Sequence, residues 1–174
     1  MAHVLIANGN TYEVVRNLLN EVGSKTDDIY DEMIQHKVSI KSCSSITTTN
    51  LFTITGGPIF LIDILGQITT GIAAGANNTK IVYTPTGGSA VDLCAVLNVA
   101  SSAIRKVLSI TGVKADALKL SADEGVVVRP FSTHARLILM PGVIQMNCAA
   151  TTTGVVDWSL LYEPILLTSA VAVV

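Results

Sequence analysis

Ser132 and His134 are two residues apart and would share one face of a strand, which is the nearest this sequence comes to a nucleophile beside a base. Acyl chemistry also needs a group to orient the base and donors for the oxyanion, and no third member is marked. His3, His36 and His134 are otherwise scattered, and no pair has the i,i+4 spacing of a helical metal site or the HxH spacing of a strand site. Asp123-Glu124 before Gly125 is turn chemistry rather than a carboxylate pair facing one sugar from two strands. Thr84-Pro85-Thr86-Gly87-Gly88-Ser89-Ala90 lacks the lysine and fixed spacing of a phosphate loop, so it is expected to be a hairpin turn. Cys43, Cys94 and Cys148 have neither the close pairing of a disulfide framework nor CxxC spacing, and are expected to be reduced, buried thiols. Asp63, set within Ile59–Gly66 among apolar neighbours, must be hydrogen-bonded, paired or at an exposed edge. Its strand is expected to have a second face that is partly open or lies at a subunit contact. These residues point to no catalytic site, no cofactor and no metal, and so to a protein that is not an enzyme.

The elements that must carry such residues fall into two kinds. Charge concentrates between Tyr12 and Lys37, the one segment with the character of a solvated helix. Asn10 and Glu13 have the spacing of a reciprocal amino-terminal cap. Val15, Leu19, Val22, Thr26, Ile29 and Met33 then recur at alternating steps of four and three, a heptad seam expected to form an oligomer interface. Gly23 and Thr26 weaken it, and an isolated helix of this kind is marginal in water. The same stripe also suits a helix packed on its own domain. The trimer is favoured over other oligomers, although Val15, Val22 and Ile29 at one seam position do not fix strand number.

After Lys37 the pattern changes to strands. Val38 and Ile40 alternate with polar residues, and candidate strands follow at 51–55, 58–66, 79–84, 91–99, 106–111, 117–121, 125–129, 136–140, 142–149 and 154–164. Turn signals separate them, among them Gly56-Gly57-Pro58, Gly75–Asn78, Pro141-Gly142 and Thr153-Gly154. The segment 91–108 also fits one face of a helix, but Asn98, Ser101 and Ser102 favour two strands with a turn. In the clearest strand Val156, Trp158, Leu160 and Tyr162 alternate with Asp157, Ser159, Leu161 and Glu163, which places Trp158 in the core. The charge-free tail Ile165–Val174 either completes a sheet or packs on a neighbouring subunit. The expected fold is mainly β, a jelly-roll-like β-sandwich over residues 38–174, preceded by a short helix or coiled coil over residues 1–37 that serves oligomerisation or docking.

Composition narrows the function. Of the 174 residues 49% are hydrophobic and only 14% charged, well below the roughly 25% usual in a soluble domain. Part of the surface is therefore expected to be covered by other chains. Net charge is −2, and no basic run exceeds Arg105-Lys106, so a nucleic-acid partner is not expected. The start lacks a secretory signal pattern, and no apolar run reaches the length of a membrane-spanning helix. The expectation is a soluble protein that is intracellular when made, with no membrane partner.

Pro141 to Ile165, PGVIQMNCAATTTGVVDWSLLYEPI, resembles the carboxy-terminal region of small structural proteins of tailed bacteriophages. There a Pro-Gly-led strand, an Ala/Thr-Gly turn and a W-x-L-x-Y-x-P strand follow one another. VDLCAVLNVA and KVLSITG are similar to the middle of such proteins. The resemblance implies a virion component, with trimeric jelly rolls that decorate or cement capsid three-fold positions as the expected form and the major capsid protein as the expected partner. As the runner-up, it also implies a tail-fibre or receptor-binding head recognising a host surface glycan. The absence of repeats and long heptads fits a compact knob better than a shaft, and a place on the capsid surface is expected.

Overall fold

The computed structural model describes residues 35–42, 48–126 and 137–174, with residues 35–42 described by their backbone. Contacts divide the chain into Met1–Ile34 and Gln35–Val174, and everything described belongs to the second unit. The heptad seam lies outside the described residues.

Twelve strands are found among them: β1 Gln35–Ser42, β2 Thr49–Thr55, β3 Ile59–Thr70, β4 Asn78–Pro85, β5 Val91–Asp92, β6 Leu97–Asn98, β7 Val107–Ser109, β8 Lys119–Leu120, β9 Leu137–Leu139, β10 Gly142–Cys148, β11 Val155–Pro164 and β12 Ala170–Val173. They form two antiparallel sheets packed as a sandwich. One runs β1-β11-β3-β7-β8, with β9 also on β3; the other runs β12-β2-β10-β4-β5, with β6 also on β4. Lys37, the last residue that the sequence pattern gave to the helical segment, lies within β1.

The core between the sheets comes from alternating side chains. β10 and β11 alternate over their whole length, as the sequence shows, and Val156, Trp158, Leu160 and Tyr162 are fully buried. On β3 the alternation changes phase. Ile59 and Leu61 face inward, and so do Ile64, Gly66 and Ile68, because the pairing with β11 shifts between Leu161 and Tyr162 and leaves Ile62 as an extra residue. Such a bulge moves every later side chain to the opposite face. It turns Asp63 onto the outward face, half-buried. Thr69 is a further extra residue on β3, and on β2 Leu51 is the extra residue opposite the Ile144–Gln145 step of β10, which accounts for the consecutive burial of Leu51 and Phe52.

Gly66 lies opposite Trp158 in the β3–β11 register. A Cβ there would stand 2.8 Å from Trp158 Cζ3 and 2.8 Å from Val156 Cγ1. The missing side chain of Gly66 is the space the indole occupies.

Other expected elements are corrected in detail. The stretch 91–99 is not one strand: β5 and β6 flank a bend in which Leu93 and Cys94 turn inward, and β6 pairs separately with β4. The expected strands at 106–111 and 117–121 shorten to β7 and β8. Of the strand expected at 125–129, Gly125 is in a turn at φ +69° and Val126 is exposed, while the rest lies outside the described residues. The tail supplies β12, which pairs with β2 and is tied to the other sheet by a hydrogen bond between the Tyr162 hydroxyl and the Val171 backbone.

Candidate functional site

Among the described residues the space between the sheets is filled by apolar side chains. The buried cluster is almost wholly apolar, and its thiols take part as packing atoms that accept weak hydrogen bonds. Cys94 Sγ accepts the Ile81 N–H at 3.3 Å, and Cys148 Sγ accepts the Thr79 hydroxyl at 3.6 Å. Burial pushes the Cys94 thiol above its ordinary pKa, so it is held as the unreactive neutral form. No group of three His, Cys, Asp or Glu side chains converges among the described residues.

Three kinds of surface remain. The outward face of the β1-β11-β3-β7 sheet holds an open depression of about 350 Å³ lined by Leu65, Gln67, Val107, Gly125, Asp157 and Ser159. Its residues are cross-strand neighbours: Asp157 pairs with Gln67, which pairs with Val107 on the far side, and Ser159 pairs with Leu65. Asp157 accepts a hydrogen bond from the Thr69 hydroxyl at 3.2 Å. One carboxylate, one amide and one hydroxyl line it among the described residues, a set that can hold a hydrogen-bonding group.

The outward face of the second sheet is polar and internally satisfied. The Thr84 hydroxyl donates to Gln145 Oε1 at 2.8 Å, and Gln145 Nε2 donates to Asn50 Oδ1 at 2.8 Å. Lys80 Nζ and Asp92 Oδ2 form an ion pair at 2.8 Å on the same sheet. An exposed pair of this kind is worth well under ~1 kcal/mol and marks a hydrated wall.

The two ends of the sandwich differ. One gathers the β3–β4, β6–β7 and β10–β11 loops, latched by backbone bonds such as Ile72 N–H to Ser102 O at 2.9 Å and Ala73 N–H to Thr153 O at 3.2 Å. Ser101 and Arg105 hold left-handed conformations there, at φ 57° and 69°. The other end gathers the β2–β3, β4–β5, β9–β10 and β11–β12 turns, where Met140, Leu166 and Leu167 are exposed.

Of the residues that the sequence singled out, Val15, Leu19, Val22, Thr26, Ile29 and Met33 lie outside the described residues, as do His3, Cys43, Ser132 and His134. His36 is described as backbone of β1 only. Asp123 and Glu124 are exposed in a turn, with Glu124 at 3.9 Å from Arg105. Thr86–Ala90 joins β4 to β5 as the expected hairpin turn. Trp158 is fully buried, a core residue and not a platform for a ligand. Sequence reasoning missed Met140, Leu166 and Leu167 as a surface, although the uncharged run at 165–174 was the signal for part of it. No family model, curated protein or solved structure matches the chain.

Proposed function

We propose that the chain is a structural virion protein, a capsid decoration or cement protein that assembles as a trimer on a phage head and contacts the major capsid protein. The observation that carries this reading is the nesting of the strands. β1 pairs with β11, β2 with β10, β3 with β9 and β7, and β4 with β5 and β6. Folding one long antiparallel ribbon over itself would give this order, which supports the jelly-roll reading of the sandwich, an architecture frequent in viral capsid and lectin domains.

Surface chemistry favours a protein contact over a sugar. Among the described residues the exposed large apolar side chains are aliphatic or Met, and none is aromatic. Glycan recognition uses aromatic faces, whereas protein docking needs only apolar area of matching shape. The mechanism is mechanical. A protein bound across neighbouring capsomers favours the assembled particle over its parts by mass action, and a contact burying more than about 1,000 Å² suffices for stable attachment.

The test is quantitative mass spectrometry and imaging of particles that carry the protein. Hundreds of copies on the head, together with lower thermal resistance of particles lacking it, are expected. A few tens of copies confined to the tail would overturn this assignment in favour of a receptor-binding head.

A further inference from the structure

The two outward faces of the sandwich treat their polar side chains differently. On the sheet that holds β2, β10 and β4 these groups bond to one another: Thr84 to Gln145, Gln145 to Asn50, Asn147 to Thr48 and Lys80 to Asp92. On the sheet that holds β11, β3 and β7, the side chains of Gln67 and Ser159 line the depression without a hydrogen bond to any other part of the chain. Asp157 between them has one tie, from the Thr69 hydroxyl to Oδ1 at 3.2 Å. It forms no ion pair: Lys80 is held by Asp92, Arg105 lies beside Glu124, and the Lys106 ammonium donates to Ala122 O. The depression thus carries a half-buried carboxylate with no counter-charge.

Register explains why these groups share one space. Asp157 lies directly opposite Gln67, and Ser159, two residues along β11, lies opposite Leu65. Residues opposite one another in a sheet have Cβ atoms roughly 5 Å apart, so the carboxylate, the amide and the hydroxyl open into the same depression. Val107 flanks Gln67 on the far side, and with Leu65 it gives the depression an aliphatic wall.

We propose that this depression seats one primary ammonium group, the end of a lysine side chain on the protein to which the chain docks. An ammonium has three donors and no acceptor, and it meets here three acceptors without partners: Asp157 Oδ2, Gln67 Oε1 and Ser159 Oγ. Its methylene stem suits the wall of Leu65 and Val107. A guanidinium fits less well, because its fork takes both oxygens of a carboxylate and Thr69 already holds Oδ1. A sugar hydroxyl leaves the charge of Asp157 unbalanced, and bonds between two charged partners are about twice as strong as neutral ones. Charge complementarity of this kind fixes partner and register more than it adds affinity.

The inference deepens the docking function proposed above and rests on it for the identity of the partner, whereas the seat is tested apart from it. Amide chemical shifts of the full chain are followed while n-butylammonium, or n-butanol as its neutral counterpart, is added. Butylammonium is expected to move the signals of Gln67, Gly125, Asp157 and Ser159 with millimolar affinity, about tenfold more weakly in Asp157→Asn, and with no change in Asp92→Asn on the other sheet. Asp157→Asn has the same shape and keeps an oxygen for the Thr69 hydroxyl, so the fold is retained. No response to butylammonium, or an equal response to butanol, overturns the seat and leaves the docking function standing. Re-addition to particles that lack the protein then tests the partner. Asp157→Asn is expected to bind them about tenfold more weakly than wild type, and equal binding overturns the docking role of the seat. A wild-type chain that does not bind particles overturns the proposed function itself, and with it the partner named here.

Discussion

At the scale of single residues, the contact between Trp158 and Gly66 couples the largest side chain of the core to the smallest. Trp158→Ala removes a fully buried ring and is expected to cost about 3–5 kcal/mol. Gly66→Ala works in the opposite sense: its methyl enters space held by the indole and Val156, and overpacking of this kind costs about 1–3 kcal/mol. Chemical denaturation checks both, and a Gly66→Ala variant as stable as wild type would mean that the ring can yield. Two phenols carry a pH dependence. Burial raises the pKa of Tyr83, whose hydroxyl donates to Met140 O at 2.7 Å, and of Tyr162. Raised folded values mean that the native state holds these protons more tightly than the unfolded chain. The resulting stability is complete below the unfolded phenol pKa of about 10 and is lost as pH climbs through the folded values. Thermal melts are therefore expected to decline above pH ~10, and Tyr162→Phe should flatten that decline; an identical alkaline profile in the variant would contradict the assignment.

At the scale of elements, legibility followed the alternation. β10 and β11 could be read from the sequence because no bulge interrupts their inward side chains. β3 could not be read in full, since the extra residue Ile62 shifts its phase and makes Ile59–Leu65 look apolar on both faces. β5, β6 and β8 were legible only as strand-like stretches, because two-residue strands are defined by their partners and not by any period of their own. Cross-strand register likewise assembled the exposed turns at one end of the sandwich from four distant segments, and no local pattern announces that. The amino-terminal seam makes its own prediction. If residues 11–36 hold copies together or dock them, the strands from β1 onward fold without that contact. Leu19→Asp with Ile29→Asp is then expected to keep β-type circular dichroism and to lose assembly or particle binding. Complete unfolding of the double variant would instead make the helix a layer of the chain's own core, and unchanged assembly with unchanged particle binding would remove the seam from any interface.

At the scale of the whole molecule, the nested pairing makes the sandwich a product of distant contacts. β11 and β10, each an interior strand of its sheet, lie late in the sequence and pair with β1 and β3 and with β2 and β4 respectively. A chain ending at Pro141 retains only short local hairpins, β4–β5 and β7–β8 with two register pairs each, and such hairpins are marginal in water. Such a fragment is expected to show no cooperative thermal transition, and a sharp melt would indicate a subdomain that the pairing does not suggest. The intact chain should refold in milliseconds to seconds rather than microseconds, because loop closure precedes any reward from non-local pairing.

The β1–β11 pairing also has a consequence for the order in which the chain is made. Gln35 finds its partner only in Tyr162, so a ribosome working at about 5–20 residues per second leaves β1 without its neighbour for on the order of ten seconds. During that interval β2 and β3 display Leu51, Phe52, Ile54, Ile59 and Ile64 with no opposite sheet to bury them. A nascent chain of this protein is thus expected to expose that apolar surface until its last strands are made, and to call on chaperones in the meantime.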